Sequence, residues 1–195
     1  MRAARDLFYA HGISNVGIDA VIERAGVAKM SLYAHFKGKD ELISAVLRSR
    51  EREVREWLEE IVGKRAGPEE RILAVFDAFA EVCAGVGFKG CPFLCAIAQL
   101  ADSEHPGHAV AVEYKAWFGG WIEHFVREAG VDDPELTARQ ITMLVDGQLA
   151  AGAIHAGDQR EIARASAGAR AAAAELLRAA ITRRGAQSSC KPSAP

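Results

Sequence analysis

Four polar side chains within seven positions, Lys29, Ser31, Tyr33 and His35, are of the types that read duplex DNA. An ammonium, two hydroxyls and an imidazole can meet the donor and acceptor pattern that base pairs display in the major groove. Leu32 and Phe36 stand i and i+4, so both face a core and leave those four on the outer side of a short helix. Other groups could support different chemistry. Cys91 and Cys95 are four apart and share one helix face, as a thiol sensor or a soft-metal site would require. No third Cys or His joins them locally, and two small buried hydrophobes are the simpler reading. Asp102, Glu104, His105 and His108 carry metal-ligating atoms, but a turn of this kind is ordinarily a solvated loop with a helix cap. His11 and His124 read as surface or core residues. No phosphate-binding loop, paired-acid motif or Ser/His/Asp constellation stands out.

The elements that must position these side chains are helices. Residues 2–11 form a short amphipathic helix with Ala4, Leu7 and Phe8 inward, stopped by Gly12. A second helix spans 18–25 through Ile18, Val21 and Ile22. Gly17 stands at its N-cap without the side-chain oxygen that Ser or Thr supplies. Gly26 ends it, because glycine best tolerates the left-handed geometry after a helix. Val27 is placed to plug the corner, and the polar-faced helix follows over 28–35. This is a helix-turn-helix whose second helix would enter the major groove, so DNA binding is the leading expectation. A long fourth helix begins near Lys39, with Leu42, Val46, Val54, Trp57, Leu58 and Ile61 compatible with one face. The breaker cluster at 63–68 ends it.

Composition sets the class. Of the 195 residues, 50% are hydrophobic and only 7% aromatic, with abundant alanine, which suits an all-α protein. Net charge is −2 overall, but residues 1–50 hold eight Lys+Arg against five Asp+Glu while the remainder is net acidic. A mildly basic head on an acidic body fits DNA contact confined to one end. The four cysteines do not form a secreted disulfide framework and fit a reducing cytoplasm. No signal peptide and no run of about 18 apolar residues is visible, so no membrane partner is expected.

The rest of the chain reads as five more helices. Pro68 opens one with Ile72, Phe76, Phe79 and Cys83 along its stripe, and Pro92 opens a short one with Phe93, Leu94, Ile97 and Leu100. A long helix carries Val110, Tyr114, Trp117, Phe118, Trp121 and Phe125. Asp133-Pro134 is a cap followed by Pro at the start of the next, through Ile141, Leu144, Val145, Gln148, Leu149 and Gly152. The last spans about 159–183, and 185–195 reads as a disordered tail. The expected organisation is therefore a head over 1–47, a body over 48–184 and the tail, with the boundary inside the fourth helix. Phe76, Phe79, Phe93, Tyr114, Trp117, Trp121 and Gln148 could line a cavity for an apolar or aromatic molecule with a hydrogen-bonding tip. One short helix reads only a few base pairs, so a homodimer is expected. Leu144, Leu149, Ala165, Ala169, Ala173 and Leu176 on the last two helices are the expected interface.

Ala4, Leu7, Phe8, Gly12, Ile18, Val21, Ala25, Gly26, Val27, Leu32, Tyr33, Phe36, Lys39, Glu41 and Leu42, at their joint spacing, resemble the tetracycline-repressor (TetR) family of bacterial regulators. The local match covers 2–47, and beyond residue 50 the resemblance is architectural. Gly90-Cys91-Pro92-Phe93-Leu94 is also similar to a segment entering a helix in some members. The resemblance implies that Tyr33 and Lys39 contact phosphates and that Lys29, Met30, Ser31 and His35 face base edges. It further implies a cytoplasmic repressor of a palindromic double-stranded operator, released by a small effector, with no cofactor and no enzymatic activity. The alternatives are a thiol-responsive regulator using Cys91 and Cys95, or a helical Cys-dependent enzyme. The chain departs from the family pattern at Gly17 and Ala28, where hydroxyl residues are common, and at Met30, where glycine is. Met30 would press an apolar group toward the groove, onto a thymine methyl.

Overall fold

The computed structural model describes the backbone of residues 1–188 and the side-chain surroundings of residues 1–181. Among the described residues there are nine helices and no strand, an all-α fold. They are α1 (Arg2–His11), α2 (Ile18–Ala25), α3 (Lys29–His35), α4 (Lys39–Gly63), α5 (Pro68–Ala84), α6 (Pro92–Gln99), α7 (Pro106–Glu128), α8 (Pro134–Ile154) and α9 (Gln159–Ser188). Helix α9 continues through 185–188, and the remainder of the expected tail, with Cys190, lies outside the described residues.

Two compact units divide the chain, and neither is continuous in sequence. The first joins Met1–Glu56 to Lys89–Ala116, and the second joins Trp57–Phe88 to the chain from Trp117 onward. Helices α4 and α7 each run from one unit into the other.

In the first unit, Ala4 and Phe8 of α1, Val21 of α2 and Leu32 of α3 are buried, with Leu42, Ile43, Val46 and Leu47 of α4. Helices α2 and α3 start behind Gly17 and Ala28 and carry no side-chain cap, which leaves their first amides available to other partners. Gly26 has φ 65 and ψ 32, the left-handed cap that the sequence predicts. Val27 departs from expectation. Its amide reaches back to the Ile22 carbonyl at 3.4 Å, and along that backbone path the side chain is 44% exposed rather than plugging the corner. Leu7 is half-buried, because the inward stripe of α1 centres on Ala4 and Phe8.

The segment from Lys89 to Ala116 belongs with this helix-turn-helix. The Tyr9 hydroxyl accepts the Lys89 amide at 2.9 Å and donates to the Gly90 carbonyl at 3.0 Å. Lys89 Nζ donates to the Ala10 carbonyl at 2.8 Å, neutralising the carbonyl end of α1. Gln99 Oε1 accepts the Ile13 amide at 2.6 Å. Gly12, at φ 88, lets Gln99 approach, since a Cβ there would lie 2.9 Å from Oε1. Arg48 of α4 pairs with Glu113 of α7 at 3.0 Å.

The second unit is built on α5, α8 and α9, each packed against the other two. Ile72 and Phe76 of α5, Phe118 and Ile122 of α7, Ile141 of α8 and Leu177 of α9 are fully buried. Pro68 opens α5 at its first turn. Asp133 caps α8, its carboxylate accepting the Leu136 amide at 3.0 Å. Arg170 of α9 pairs with Asp77 of α5 at 2.7 Å.

Candidate functional site

Helix α3 is anchored by one apolar side chain, Leu32, and every other residue on it is exposed. Lys29, Met30, Ser31, Tyr33 and His35 are therefore all open to solvent, spread around a helix of two turns. Met30 is 79% exposed. Lys29 is not a free cation: its Nζ lies 2.9 Å from Asp19 Oδ1 of α2, and this pairing raises the ammonium pKa above its ordinary value. Asp19 is the residue that sequence reasoning left out. Its signal was an acidic side chain in the first turn of α2, where it also complements the helix dipole.

Lys39 is the first residue of α4 and is half-buried there. An open concavity of ≈ 500 Å³ lies at this helix start, lined by Lys37, Gly38, Lys39, Asp40, Glu41, Ser44 and Pro106. Its two lysines and the positive end of α4 stand beside two carboxylates, Asp40 and Glu41. The neighbouring carboxylates are held by other groups. Glu41 Oε2 accepts the Lys37 amide at 2.7 Å, and Asp40 Oδ1 lies 3.2 Å from His105 Nε2. His105 Nδ1 accepts the Gly107 amide at 2.9 Å, so a neutral ring carries its proton on Nε2, the nitrogen beside Asp40. His105 thus lies beside the first turn of α4, and Asp102 caps its own turn through the Glu104 amide at 2.9 Å.

The residues expected around a small molecule divide between the units. Phe93 and Tyr114 belong to the first, where their rings stack at 3.7 Å between centroids and 18° between planes. Phe76, Phe79, Trp117, Trp121 and Gln148 belong to the second. Phe79 meets Trp57 at 5.5 Å and Phe118 at 6.3 Å, both edge to face. Trp117 stacks on Trp121 at 5.7 Å, and Trp121 Nε1 donates to Glu59 at 2.7 Å. Phe76 and Gln148 are buried, and Gln148 Nε2 donates to the Phe76 carbonyl at 2.9 Å.

Cys91 is buried at the N-cap of α6, and Cys95 is half-buried one turn later. Burial pushes the Cys95 thiol up, which keeps it protonated and a poor nucleophile near neutral pH. This environment runs against the thiol-responsive reading. On the last two helices, Leu144, Ala165, Ala169 and Leu176 are half-buried, while Leu149 and Ala173 are already covered by their own chain. The exposed apolar side chains of α8 are instead Leu136, Met143 at 67% and Ile154 at 76%. They fall on one face with Gly147 and Ala150, a spacing legible in the sequence but hidden by the stronger inward stripe.

Comparison with known proteins agrees with this arrangement. The family model described as bacterial regulatory proteins, tetR family, matches residues 1–46. A TetR-family transcriptional regulator from Streptomyces coelicolor superposes with a TM-score of 0.84 at 30% identity, covering 92% of this chain and 93% of that one. A TetR-type regulator from Streptomyces avermitilis gives 0.78 at 32% identity, covering 92% and 94%. The HTH-type transcriptional regulator YjdC of Escherichia coli K12 is 24% identical over 147 residues, 75% of this chain and 77% of its own. The nine helices among the described residues and these likenesses together place the chain in the TetR family of DNA-binding bacterial transcriptional regulators.

Proposed function

We propose that this regulator is a cytoplasmic repressor that binds a palindromic operator as a homodimer and leaves it when a small apolar or aromatic molecule enters the second unit. The observation that carries the DNA-reading part is α3 itself, where Leu32 is buried and Lys29, Met30, Ser31, Tyr33 and His35 are all exposed. Tyr33 and Lys39 hold phosphates; Met30, Ser31 and His35 face bases, and Lys29 joins them when it leaves Asp19. Dimerisation is supported by the uncovered face of α8 through Leu136, Met143 and Ile154, together with the exposed small residues Ala167, Gly168, Ala171 and Ala172 of α9. Helices α4 and α7 give a ligand in the second unit a mechanical route to the first, since each is one unbroken helix. The ligand acts only by binding the two states with different affinity.

The test is binding to the DNA upstream of the chain's own coding sequence across a salt series. Wild-type protein shifts that DNA, and Lys39→Ala weakens binding to all sequences and lowers the salt slope by about 1. Met143→Asp combined with Ile154→Asp yields a monomer in sedimentation and abolishes the operator complex. A monomeric wild type, or a shift indifferent to salt and to Lys39, rules the reading out.

A further inference from the structure

Gln148 lies in α8 and is 2% exposed. Its Nε2 donates to the Phe76 carbonyl of α5 at 2.9 Å. That bond fixes the amide, because the reversed orientation sets two carbonyl oxygens against each other. Oε1 therefore faces away from Phe76 and, among the described residues, is buried without a hydrogen-bond partner. A buried acceptor that no protein donor satisfies is a place where a donor from outside the chain can be held.

The surroundings say what kind of occupant. The buried polar residues of the second unit are Thr137, Gln148 and Ser166, with no buried carboxylate, lysine or arginine among the described residues. The Cys83 thiol reaches the Gln148 backbone carbonyl at 3.8 Å, and burial keeps it neutral, pushed up to about 11. Phe76, Phe79 and Phe118 supply buried aromatic surface in the same unit. A charged group drawn into this interior would meet no buried counter-charge among the described residues, and a carboxylate would face Oε1 with a second acceptor.

We infer that Gln148 Oε1 anchors the polar end of the effector, and that this effector is an uncharged molecule with an O–H or N–H donor on an apolar body, the chemistry of a phenol or an alcohol. The inference rests on the ligand-release reading above and narrows its chemical class. Nε2 grips α5 while Oε1 takes the ligand, so one amide links ligand occupancy to the α5–α8 contact.

The experiment compares 4-ethylphenol with its methyl ether, 4-ethylanisole, which keeps the body and loses the donor. Binding to the full chain is read by thermal shift and by Trp117 and Trp121 fluorescence, in wild type and in Gln148→Met. The phenol should bind wild type about tenfold more tightly than the ether, and the gap should vanish in Gln148→Met. Equal binding of phenol and ether, an unchanged gap in Gln148→Met, or no binding of either overturns the inference. If Gln148→Met does not fold, the phenol–ether comparison in wild type decides alone. Phenol binding that leaves the operator complex intact preserves the anchor and removes the release reading, so the two failures are separable.

Discussion

The Gln99 side-chain oxygen accepts the Ile13 amide at 2.6 Å, so the turn after α1 is closed by a residue 86 positions further along the chain. Ser14 adds a longer contact to the Gln99 backbone carbonyl at 3.5 Å. The geometry of the DNA-reading head thus depends on α6. Gln99→Leu leaves the Ile13 amide without its partner and should cost about 1–2 kcal/mol. Thermal denaturation should show a fall of several degrees, accompanied by weaker operator binding. Gln99→Glu, which keeps an acceptor, should recover most of both. A Gln99→Leu protein as stable as wild type would show that the contact is incidental.

Asp19 of α2 pairs with Lys29 at the exposed start of α3. Both side chains are well exposed, so the pair adds little to stability. Asp19→Ala should leave the melting temperature nearly unchanged, tighten binding to any duplex several-fold, and steepen the salt dependence by about 1. Fluorescence anisotropy with a cognate and an unrelated duplex reads both. Tightening confined to the cognate sequence would mean that Asp19 shapes base readout instead.

Burial pushes the Cys83 thiol up from 9.0 to about 11. The folded chain therefore keeps a proton that the unfolded chain has lost. The stability tied to this thiol is complete below about pH 9 and disappears as pH climbs toward about 11. Tyr9, also raised by burial from 10.0, adds a loss in the same direction at higher pH. Denaturant midpoints between about pH 8 and about pH 11 should fall for wild type and fall less for Cys83→Ala. The same slope in both proteins would assign the alkaline loss elsewhere.

Gly152 admits no side chain. A Cβ there would meet Cys83 Sγ at 2.6 Å, Cys83 Cβ at 2.8 Å and Phe88 Cε1 at 3.0 Å. Gly152→Ala should destabilise by about 1–3 kcal/mol through overpacking, despite the better helix propensity of alanine. Cys83→Ala in the same chain should relieve only part of this, since the Cβ contact remains. Urea unfolding of the two single variants and the double variant measures the coupling.

The local signals were legible. Gly12, Gly26, Pro68, Pro92 and Asp133-Pro134 mark helix ends by backbone chemistry that acts within a few residues, and the helices begin and end where those residues stand. The exposure of Lys29, Met30, Ser31, Tyr33 and His35 follows from a single i, i+4 pair, Leu32 and Phe36, although Phe36 is only half-buried. What escaped was partnership. Periodicity says that a face is apolar but not which element covers it, so Leu149 and Ala173 read as interface residues although their own chain covers them, while Met143 and Ile154 went unnoticed. Val27 followed a turn whose backbone path carried it outward. Tyr9, Lys89 and Gln99 carry no pattern in the sequence at all, because hydrogen bonds between residues about eighty positions apart leave no period behind.

The two-segment make-up of the first unit has a practical result for anyone recombining such regulators. A chimera made by joining residues 1–47 to a foreign body would strand Tyr9 without Lys89 and Gly90, Ile13 without Gln99, and Asp40 without His105. A working graft of this unit must carry the stretch from Lys89 to Ala116 along with the N-terminal helices, as two inserts rather than one.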